Sequence, residues 1–223
     1  MKLKKLNKVW IVIPAHNEEN HIEGVIKNTK KFANNILVVD DGSKDKTSII
    51  AERSGAFVLK HIVNLGKGAA LKTGCEYAIK NNAEKIVVLD ADGQHDPKEI
   101  PNFVNALNKA DIVFGYRRLN RNMPFVLRYG NWFIFFMAKL LFGLKIADTQ
   151  CGYRAFRADA YNKIKWNATD YSMESEMIAN AGKAHLKYSQ IPIETIYSDK
   201  YKGTTVIDGI RIVLNMVWWK LSR

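Results

Sequence analysis

Residues 86–95 read IVVLDADGQH, four apolar residues followed by a turn that carries two carboxylates, Asp90 and Asp92. A short apolar run that ends in a polar turn is typical of a buried strand in a parallel sheet. Two carboxylates at this spacing can converge on one Mg²⁺ or Mn²⁺ where the strand becomes a loop. In the structural alternative, Asp90 caps the helix predicted to begin at Pro97. The spacing alone leaves both interpretations open.

The alternation of strand-like and helix-like segments extends on both sides of this turn. Apolar runs come before it at Val9–Ile13, Ile36–Val39 and Ala56–Leu59, and another follows at Asp111–Gly115. The segments with helical patterns are Glu18–Lys31, Lys46–Ser54, Gly68–Asn81 and Pro97–Lys109. This order predicts an α/β fold with a mainly parallel sheet, in which ligands bind beyond the carboxyl ends of the strands.

Two further turns at predicted strand ends contain polar or glycine residues. The run 40–43 reads DDGS, and its carboxylates could accept hydrogen bonds from a ribose or base, or could cap a helix. The run 64–68 reads NLGKG and offers flexible backbone and one cation, which suits the approach of a phosphate. It lacks the complete P-loop pattern, so on its own it predicts only a turn.

The second half of the chain is more basic and more aromatic than the first. The 223 residues carry a net charge of +12, with +4 in residues 1–110 and +8 in residues 111–223. Of the 24 aromatic residues, 19 lie in residues 111–223. This bias favours a phosphate-rich partner, either a nucleic acid or an anionic membrane surface. The overall composition excludes a disordered or collagenous chain, and two cysteines give neither a disulfide framework nor a zinc site.

Several elements are predicted after Gly115. Four arginines fall within twelve residues: Arg117, Arg118, Arg121 and Arg128. The later segments are an aromatic run at Trp132–Phe142, a polar loop at Asp148–Phe156, a helix at Tyr171–Ala184, a strand at Lys187–Tyr197 and an amphipathic stretch at Val206–Arg223. Pro192 favours an edge position for that strand. No run reaches the roughly 20 apolar residues of a membrane-spanning helix, so we expect a soluble or membrane-peripheral protein.

Five blocks, in order, resemble the inverting family 2 glycosyltransferases, which have the GT-A fold, a Rossmann-like mixed sheet. The blocks are residues 12–19 (VIPAHNEE), 38–43 (VVDDGS), 66–70 (GKGAA), 89–95 (LDADGQH) and 148–156 (DTQCGYRAF). The last block is similar to that of the dolichyl-phosphate mannose and glucose synthases, although Ser is more usual there than Cys151. The resemblance covers residues 9–200, which implies a GT-A catalytic domain at 1–200, and we expect the amphipathic segment at 201–223 to be membrane-interfacial.

The resemblance also implies roles for individual residues. The nucleotide-sugar pocket would include Pro14, Ala15, Asn17, Glu18, Asp41, Lys67, Asp90 and Asp92. Asp90, Asp92 and Gln94 would hold a divalent cation, Mg²⁺ or Mn²⁺, on the donor diphosphate. Arg117 and Arg128 would bind the phosphate of the acceptor. Asp148 would orient Arg154 or Arg117, or would form a purely structural ion pair.

These roles describe transfer of mannose or glucose from a GDP- or UDP-linked donor to a polyprenyl (dolichyl-type) phosphate. The acceptor phosphate is already anionic, so it needs cations to orient it rather than a strong general base. In the alternative, the enzyme extends a glycan and a helix carboxylate is the general base. Glu174 and Glu176 cannot both face one way on a helix. By position we prefer Glu176 for that role, and a structural or substrate-orienting role is the alternative.

The expected partners follow from the same interpretation. The aromatic run Trp132–Phe142 and the terminal Trp218-Trp219-Lys220 suit an anionic membrane surface, on the cytoplasmic face, or a membrane-protein partner. An oligomer is compatible with this interpretation. A non-catalytic nucleic-acid-binding domain is the minor alternative, and no nucleic-acid-binding motif supports it.

Overall fold

The computed structural model describes residues 8–117, 135–194 and 206–221, and the side chains of 206–212 are outside the description. The strands are β1 Val9–Ala15, β2 Asn35–Asp40, β3 Phe57–Lys60, β4 Lys85–Val88, β5 Ile112–Arg117, β6 Arg154–Arg157 and β7 Tyr188–Ile193. The α-helices are α1 Ile22–Thr29, α2 Thr47–Arg53, α3 Lys67–Lys80, α4 Ile100–Ala106, α5 135–142, α6 Tyr161–Ile164, α7 Met173–Lys183 and α8 Val206–Leu221. Short 3₁₀ turns at Pro97–Glu99 and Ala158–Ala160 precede α4 and α6.

The seven strands form one sheet in the order β3-β2-β1-β4-β6-β5-β7. The neighbouring pairs are parallel except for those of β6, which runs antiparallel to both β4 and β5. The mainly parallel α/β sheet predicted from the sequence is therefore confirmed. Strand β7 lies at the edge, where the missing N–H of Pro192 costs no internal ladder bond.

Strand β6 is an element that the sequence does not predict. The sequence predicts a polar loop at Asp148–Phe156, yet Arg154–Arg157 lie in the middle of the sheet between β4 and β5. Their four-residue run includes two arginines, so it carries no strand signal of its own. Pairing with two hydrophobic neighbours over long sequence separations decides its structure.

The sheet separates two hydrophobic cores, and alternate residues of β1 supply both. Trp10 and Val12 face a core built with α3, α6 and α7, whereas Ile11 and Ile13 face a core built with α1 and α4. A third, smaller cluster joins α5, α7 and α8 through Ala138, Ala179 and Met216 among others. Because β1, β2, β4 and β5 run in one direction, the loops after them meet at one edge of the sheet.

Candidate functional site

Lys67 begins α3 and places its ammonium between two carboxylates. Its Nζ lies 2.7 Å from Asp90 Oδ1 and 3.0 Å from Glu174 Oε1. The ring of Tyr171 lies beside it, with its centroid 5.5 Å from Nζ. The side chains of Lys67, Asp90 and Glu174 are 15%, 24% and 4% exposed, so water screens these charges weakly. The cluster joins the beginning of α3, the end of β4 and the first turn of α7.

The pairing keeps these groups charged despite burial. Burial acts to lower the pKa of Lys67, but the charges of Asp90 and Glu174 outweigh it and the pKa is raised. Burial acts to raise the pKa of Asp90, but Lys67 outweighs it and the pKa is lowered. Asp90 Oδ1 and Glu174 Oε2 are buried oxygens that accept no hydrogen bond of normal geometry from the described residues. Asp90 Oδ1 nevertheless forms an ion pair with the Lys67 ammonium, 2.7 Å away.

The structure brings Glu174, and not Glu176, to this cluster. Glu176 Oε1 accepts a hydrogen bond from the amide of Asn167 at 3.0 Å, and its Oε2 accepts one from the amide of Ala168 at 2.9 Å. Both oxygens of this buried carboxylate thus hold the loop before α7. Residues two apart on an α-helix point to nearly opposite sides. Glu176 as a general base therefore stays a prediction, and in this structure its carboxylate holds the loop.

Arg117 ends β5 and is held by Asp148. Its Nε donates to Asp148 Oδ2 at 2.6 Å and its Nη2 donates to Asp148 Oδ1 at 3.1 Å, a bidentate pair. Burial acts to raise the pKa of Asp148, but the Arg117 guanidinium outweighs it and the pKa is lowered. Of the two partners left open for Asp148, the structure selects Arg117. Arg128, the second predicted acceptor residue, lies outside the described residues.

Arg154 binds backbone carbonyls and is not the partner of Asp148. Its guanidinium donates to three backbone carbonyls, those of Cys151 at 2.9 Å, Thr149 at 2.8 Å and Glu174 at 2.5 Å. This fully buried side chain ties the 149–154 loop to the beginning of α7. It therefore fixes the backbone of Glu174 next to Lys67. No sequence pattern indicates this role, because Arg154 lies in β6, a strand that the sequence does not predict.

The loop after β1 contacts the loop after β2. The residues predicted to line the nucleotide pocket here are Pro14, Ala15, Asn17 and Glu18. The amide of Asn17 donates to Ser43 Oγ at 2.9 Å, and the amide of Glu18 donates to Thr47 Oγ1 at 2.8 Å. Asn17 adopts a left-handed conformation with φ of 54°, which Asn tolerates better than most residues. These bonds bring the two loops together at the carboxyl edge of the sheet.

Asp41 is buried and holds the loop that leads into α3. Its Oδ1 accepts from the amide of Leu65 at 2.9 Å and contacts His61 Nδ1 at 2.7 Å, while its Oδ2 accepts from the amide of Gly66 at 2.7 Å. Both oxygens are thus engaged with the protein. Asp41 therefore anchors the loop one residue before Lys67, and its contact with a base or ribose stays a prediction.

The sequence that forms this site also matches a protein-family model. The model of glycosyl transferase family 2 matches residues 10–165, which include the acidic turn, Lys67 and Arg117. The chain belongs to glycosyl transferase family 2. The family predicted from the five blocks is thereby confirmed.

Two relatives within family 2 are similar over almost their whole length. UDP-N-acetylglucosamine–dolichyl-phosphate N-acetylglucosaminyltransferase of Methanococcus voltae is 32% identical, over 96% of this chain and 97% of the relative. Undecaprenyl-phosphate mannosyltransferase of Micrococcus luteus is 26% identical, over 96% of this chain and 95% of the relative. Both names state a polyprenyl-type phosphate acceptor, so the chain's relatives include the polyprenyl-phosphate sugar transferases of the family.

Solved structures agree with the fold. Glucosyl-3-phosphoglycerate synthase from Mycobacterium tuberculosis, in complex with Mn²⁺, UDP-glucose and phosphoglyceric acid, superposes with a TM-score of 0.75. The two chains are 20% identical, and the match covers 96% of this chain and 80% of that one. At this identity the likeness shows the GT-A fold and nothing finer, and it confirms the predicted fold class.

The acidic turn supplies oxygen ligands of the kind that hold a divalent cation together with a substrate phosphate. Asp92 Oδ1 accepts from the amide of Gln94 at 3.0 Å, which keeps both side chains on one turn with Asp90. Among the described residues, no three His, Cys, Asp or Glu side chains cluster as a self-sufficient metal site. Mg²⁺ commonly takes one or two carboxylates and completes its shell with water and substrate phosphates. The turn, which supplies the carboxylates of Asp90 and Asp92 and the amide oxygen of Gln94, fits such a partial site.

The cluster of Lys67 and Asp90 leaves no room for a side chain at Gly152. A Cβ atom there would lie 2.7 Å from Asp90 Oδ2 and 2.9 Å from Lys67 Nζ. We expect Gly152→Ala to push the Lys67–Asp90 pair apart and to weaken binding of a nucleoside diphosphate by about tenfold, as measured by calorimetry. Gly24→Ala is the matched control, because a Cβ there meets nothing within 4 Å on a helix. Unchanged binding by Gly152→Ala would show that the position of the Lys67–Asp90 pair does not matter for binding a nucleoside diphosphate.

Proposed function

We propose that the protein transfers a sugar from a nucleotide sugar to a polyprenyl phosphate. One observation carries the proposal: the acidic turn after β4, Lys67 and Arg117 lie together at the carboxyl edge of the sheet. Arg117 is close enough to contribute to lowering the pKa of Asp90. An edge with carboxylates for a cation and separate cations for phosphates suits two phosphate-bearing substrates. The names of the relatives support the same substrate classes.

The donor half of the reaction uses the acidic turn and Lys67. Asp90, Asp92 and Gln94 would hold the divalent cation, which neutralises charge that develops on the leaving diphosphate. Lys67 has three N–H groups, and two of them face Asp90 and Glu174. The third is available for a phosphate oxygen. Since both carboxylates fix the ammonium, Lys67 binds the diphosphate with little reorganisation.

The acceptor half needs orientation more than proton removal. Arg117 is one-third exposed and its direction is set by Asp148, so it suits a phosphate that arrives from solvent. Arg128 stays a prediction for the same phosphate. The alternative of glycan extension has less support, because the carboxylate of Glu176 is engaged by the backbone of the 167–168 loop. We accordingly place the acceptor phosphate at Arg117.

Arg117→Gln tests the acceptor assignment. We expect the KM for polyprenyl phosphate to rise by about tenfold or more, since a charge-assisted bidentate contact is lost, while the KM for the donor changes little. Arg157→Gln is the matched control, because Arg157 forms a similar pair with Asp159 on an exposed part of the sheet. Steady-state kinetics with each substrate varied in turn measure both constants. Equal effects on donor and acceptor would remove the acceptor role of Arg117.

Helices α5 and α8 give the proposed membrane contact a location. None of the described helices is long and apolar enough to cross a bilayer. The α8 side chains Met216 and Val213 pack against α5 and α7, whereas large apolar residues of α5 and α8 face outward. These are Phe136, Leu140, Leu214, Val217, Trp218 and Leu221, with Lys139 and Lys220 also exposed. We propose that this surface lies on an anionic membrane next to the catalytic domain at residues 1–200. Residues 201–205 and 222–223 of the predicted interfacial segment 201–223 lie outside the described residues.

Replacement of Leu214 and Trp218 by Glu tests the membrane surface. The two side chains are 65% and 68% exposed, so the change places charge where apolar contact with lipid is proposed and leaves the protein core intact. We expect the doubly substituted protein to lose most of its co-flotation with anionic liposomes. Ile49→Glu, at an exposed apolar residue on α2, is the control and should still float. Equal flotation of all three proteins would contradict this surface.

A donor panel decides between sugars. Purified protein is incubated with polyprenyl phosphate, Mg²⁺ or Mn²⁺, and UDP-N-acetylglucosamine, UDP-glucose or GDP-mannose, and lipid-linked sugar is extracted and counted. We expect UDP-N-acetylglucosamine to give the highest turnover, on the strength of the 32% identical relative, with glucose and mannose as the other candidates. Transfer to an oligosaccharide but not to polyprenyl phosphate would overturn the proposed acceptor.

A further inference from the structure

His95 closes the acidic turn, and no role has been given to it so far. The amide of Asp90 donates a hydrogen bond to His95 Nδ1 at 3.1 Å, so the chain returns on itself between these two residues. A ring nitrogen that accepts from an amide carries no proton, and the proton of the neutral ring is therefore on Nε2. The 3.9 Å approach of the same nitrogen to Asp90 Oδ2 is accordingly not an ion pair.

The ring of His95 is held by a stack of aromatic rings beneath the turn. It lies on the ring of Tyr153, with centroids 5.1 Å apart and planes inclined by 28°. Tyr153 in turn lies on Phe103 of α4, with centroids 4.4 Å apart and planes inclined by 10°. The Tyr153 hydroxyl also donates to the carbonyl of Asp96 at 3.3 Å. His95 is 7% exposed and the other two rings are fully buried, so the stack is part of the core.

We propose that His95 and Tyr153 are positioning residues that hold Asp90, Asp92 and Gln94 in the arrangement that receives the cation and the donor diphosphate. Mg²⁺ requires near-octahedral geometry, and a short loop with two carboxylates would otherwise sample many arrangements. The hydrogen bond fixes the first residue of the turn, and the stack fixes the last. The inference rests on the proposed function for the identity of the ligands, but the fixed turn itself exists without them.

Two substitutions at His95 separate the hydrogen bond from the stack. His95→Asn keeps an acceptor oxygen near the position of Nδ1 and removes the ring, whereas His95→Phe keeps a stacking ring and removes the acceptor. Tyr153→Leu breaks the stack from below. Tyr77→Leu is the control, because Tyr77 contacts the ring of Trp10 at 5.9 Å in a different part of the protein.

Three measurements are made on the full chain. Electron paramagnetic resonance gives the affinity for Mn²⁺ in the presence of UDP, calorimetry gives the affinity for UDP without metal, and NMR hydrogen exchange gives the protection of the Asp90 amide. We expect His95→Phe and Tyr153→Leu to weaken Mn²⁺ binding by about 10- to 100-fold and to leave metal-free UDP binding within about threefold. We expect His95→Phe also to lose the protection of the Asp90 amide, and His95→Asn to retain most of it.

The outcomes separate this inference from the proposed function. Wild-type Mn²⁺ affinity and amide protection in His95→Phe would overturn the inference, as would equal loss of protection in His95→Asn and His95→Phe. A wild-type protein that binds neither UDP nor Mn²⁺ would overturn the proposed donor and cation. The exchange of the Asp90 amide would still decide whether His95 holds the turn, because that measurement needs no ligand. A loss of metal-free UDP binding as large as that of Mn²⁺ would indicate general structural damage and would also overturn the inference.

Discussion

Asp92→Asn is expected to reduce metal-dependent sugar transfer by about 10³-fold or more, because one neutral amide replaces a charged ligand of the cation that stabilises the leaving diphosphate. The fold should survive the change. Asn retains an oxygen that can accept the hydrogen bond of the Gln94 amide, and Asp92 is not fully buried. The free energy of unfolding is therefore expected to stay within about 0.5 kcal/mol of the wild-type value.

Asp96→Asn is the control for this experiment, since Asp96 follows the same turn but caps the short helix at Pro97–Glu99 through the amide of Lys98. It should retain near-wild-type turnover. Transfer of radiolabelled sugar to polyprenyl phosphate measures activity, and titration with Mn²⁺ shows whether added metal restores it. Near-wild-type turnover by Asp92→Asn would remove Asp92 from the cation site.

Lys67→Met is expected to give the largest loss of stability, about 3–5 kcal/mol, because it leaves two buried carboxylates without their shared cation. Asp90 and Glu174 would then repel each other in a poorly solvated site. The double variant Lys67→Met/Glu174→Gln removes one of the two charges, and we expect it to recover part of the loss. Urea unfolding of the wild type, both single variants and the double variant gives the coupling free energy between the two residues.

Lys165→Met is the matched control for the buried cluster. Lys165 pairs with Glu76 at 2.7 Å, but both side chains are about 40% exposed, so its loss should cost no more than about 1 kcal/mol. If Lys67→Met were no more destabilising than Lys165→Met, the buried cluster would contribute little to the fold. Additive effects of Lys67→Met and Glu174→Gln would show that the two residues do not interact.

Most of the fold could be predicted from the sequence because the signals for its strands and helices are local. Apolar runs such as Val9–Ile13 and Ile86–Leu89 predict buried strands, and helical stripes between them predict parallel crossovers. Each predicted strand of the first half is present within one or two residues of its expected bounds. The same local reasoning failed at β6, since its four residues are specified by neighbours that are distant in the chain.

The candidate site could likewise be predicted only in part from the sequence. The sequence identified Asp90 and Lys67 from their places in the motif blocks and Arg117 from its position after a predicted strand, and the structure brings all three to one edge of the sheet. It favoured Glu176 over Glu174 as the general base, but it could not show which of the two reaches Lys67, because both lie on the first turn of one helix. Only the rotation of α7 against the sheet decides which carboxylate reaches Lys67 and which holds the loop.

The sequence by itself therefore determined the α/β fold, the family and the acidic turn, since each depends on residue types at short, fixed spacings. The tertiary structure alone decided the partners: Asp148 for Arg117, Glu174 for Lys67, Asp41 for the loop before α3, and Tyr153 for the ring of His95. These contacts join residues from different elements, and their geometry depends on how helices and loops pack on the sheet. Spacing along the chain carries no information about that packing, which is why the charges that were evident in the sequence acquired specific roles only in the folded protein.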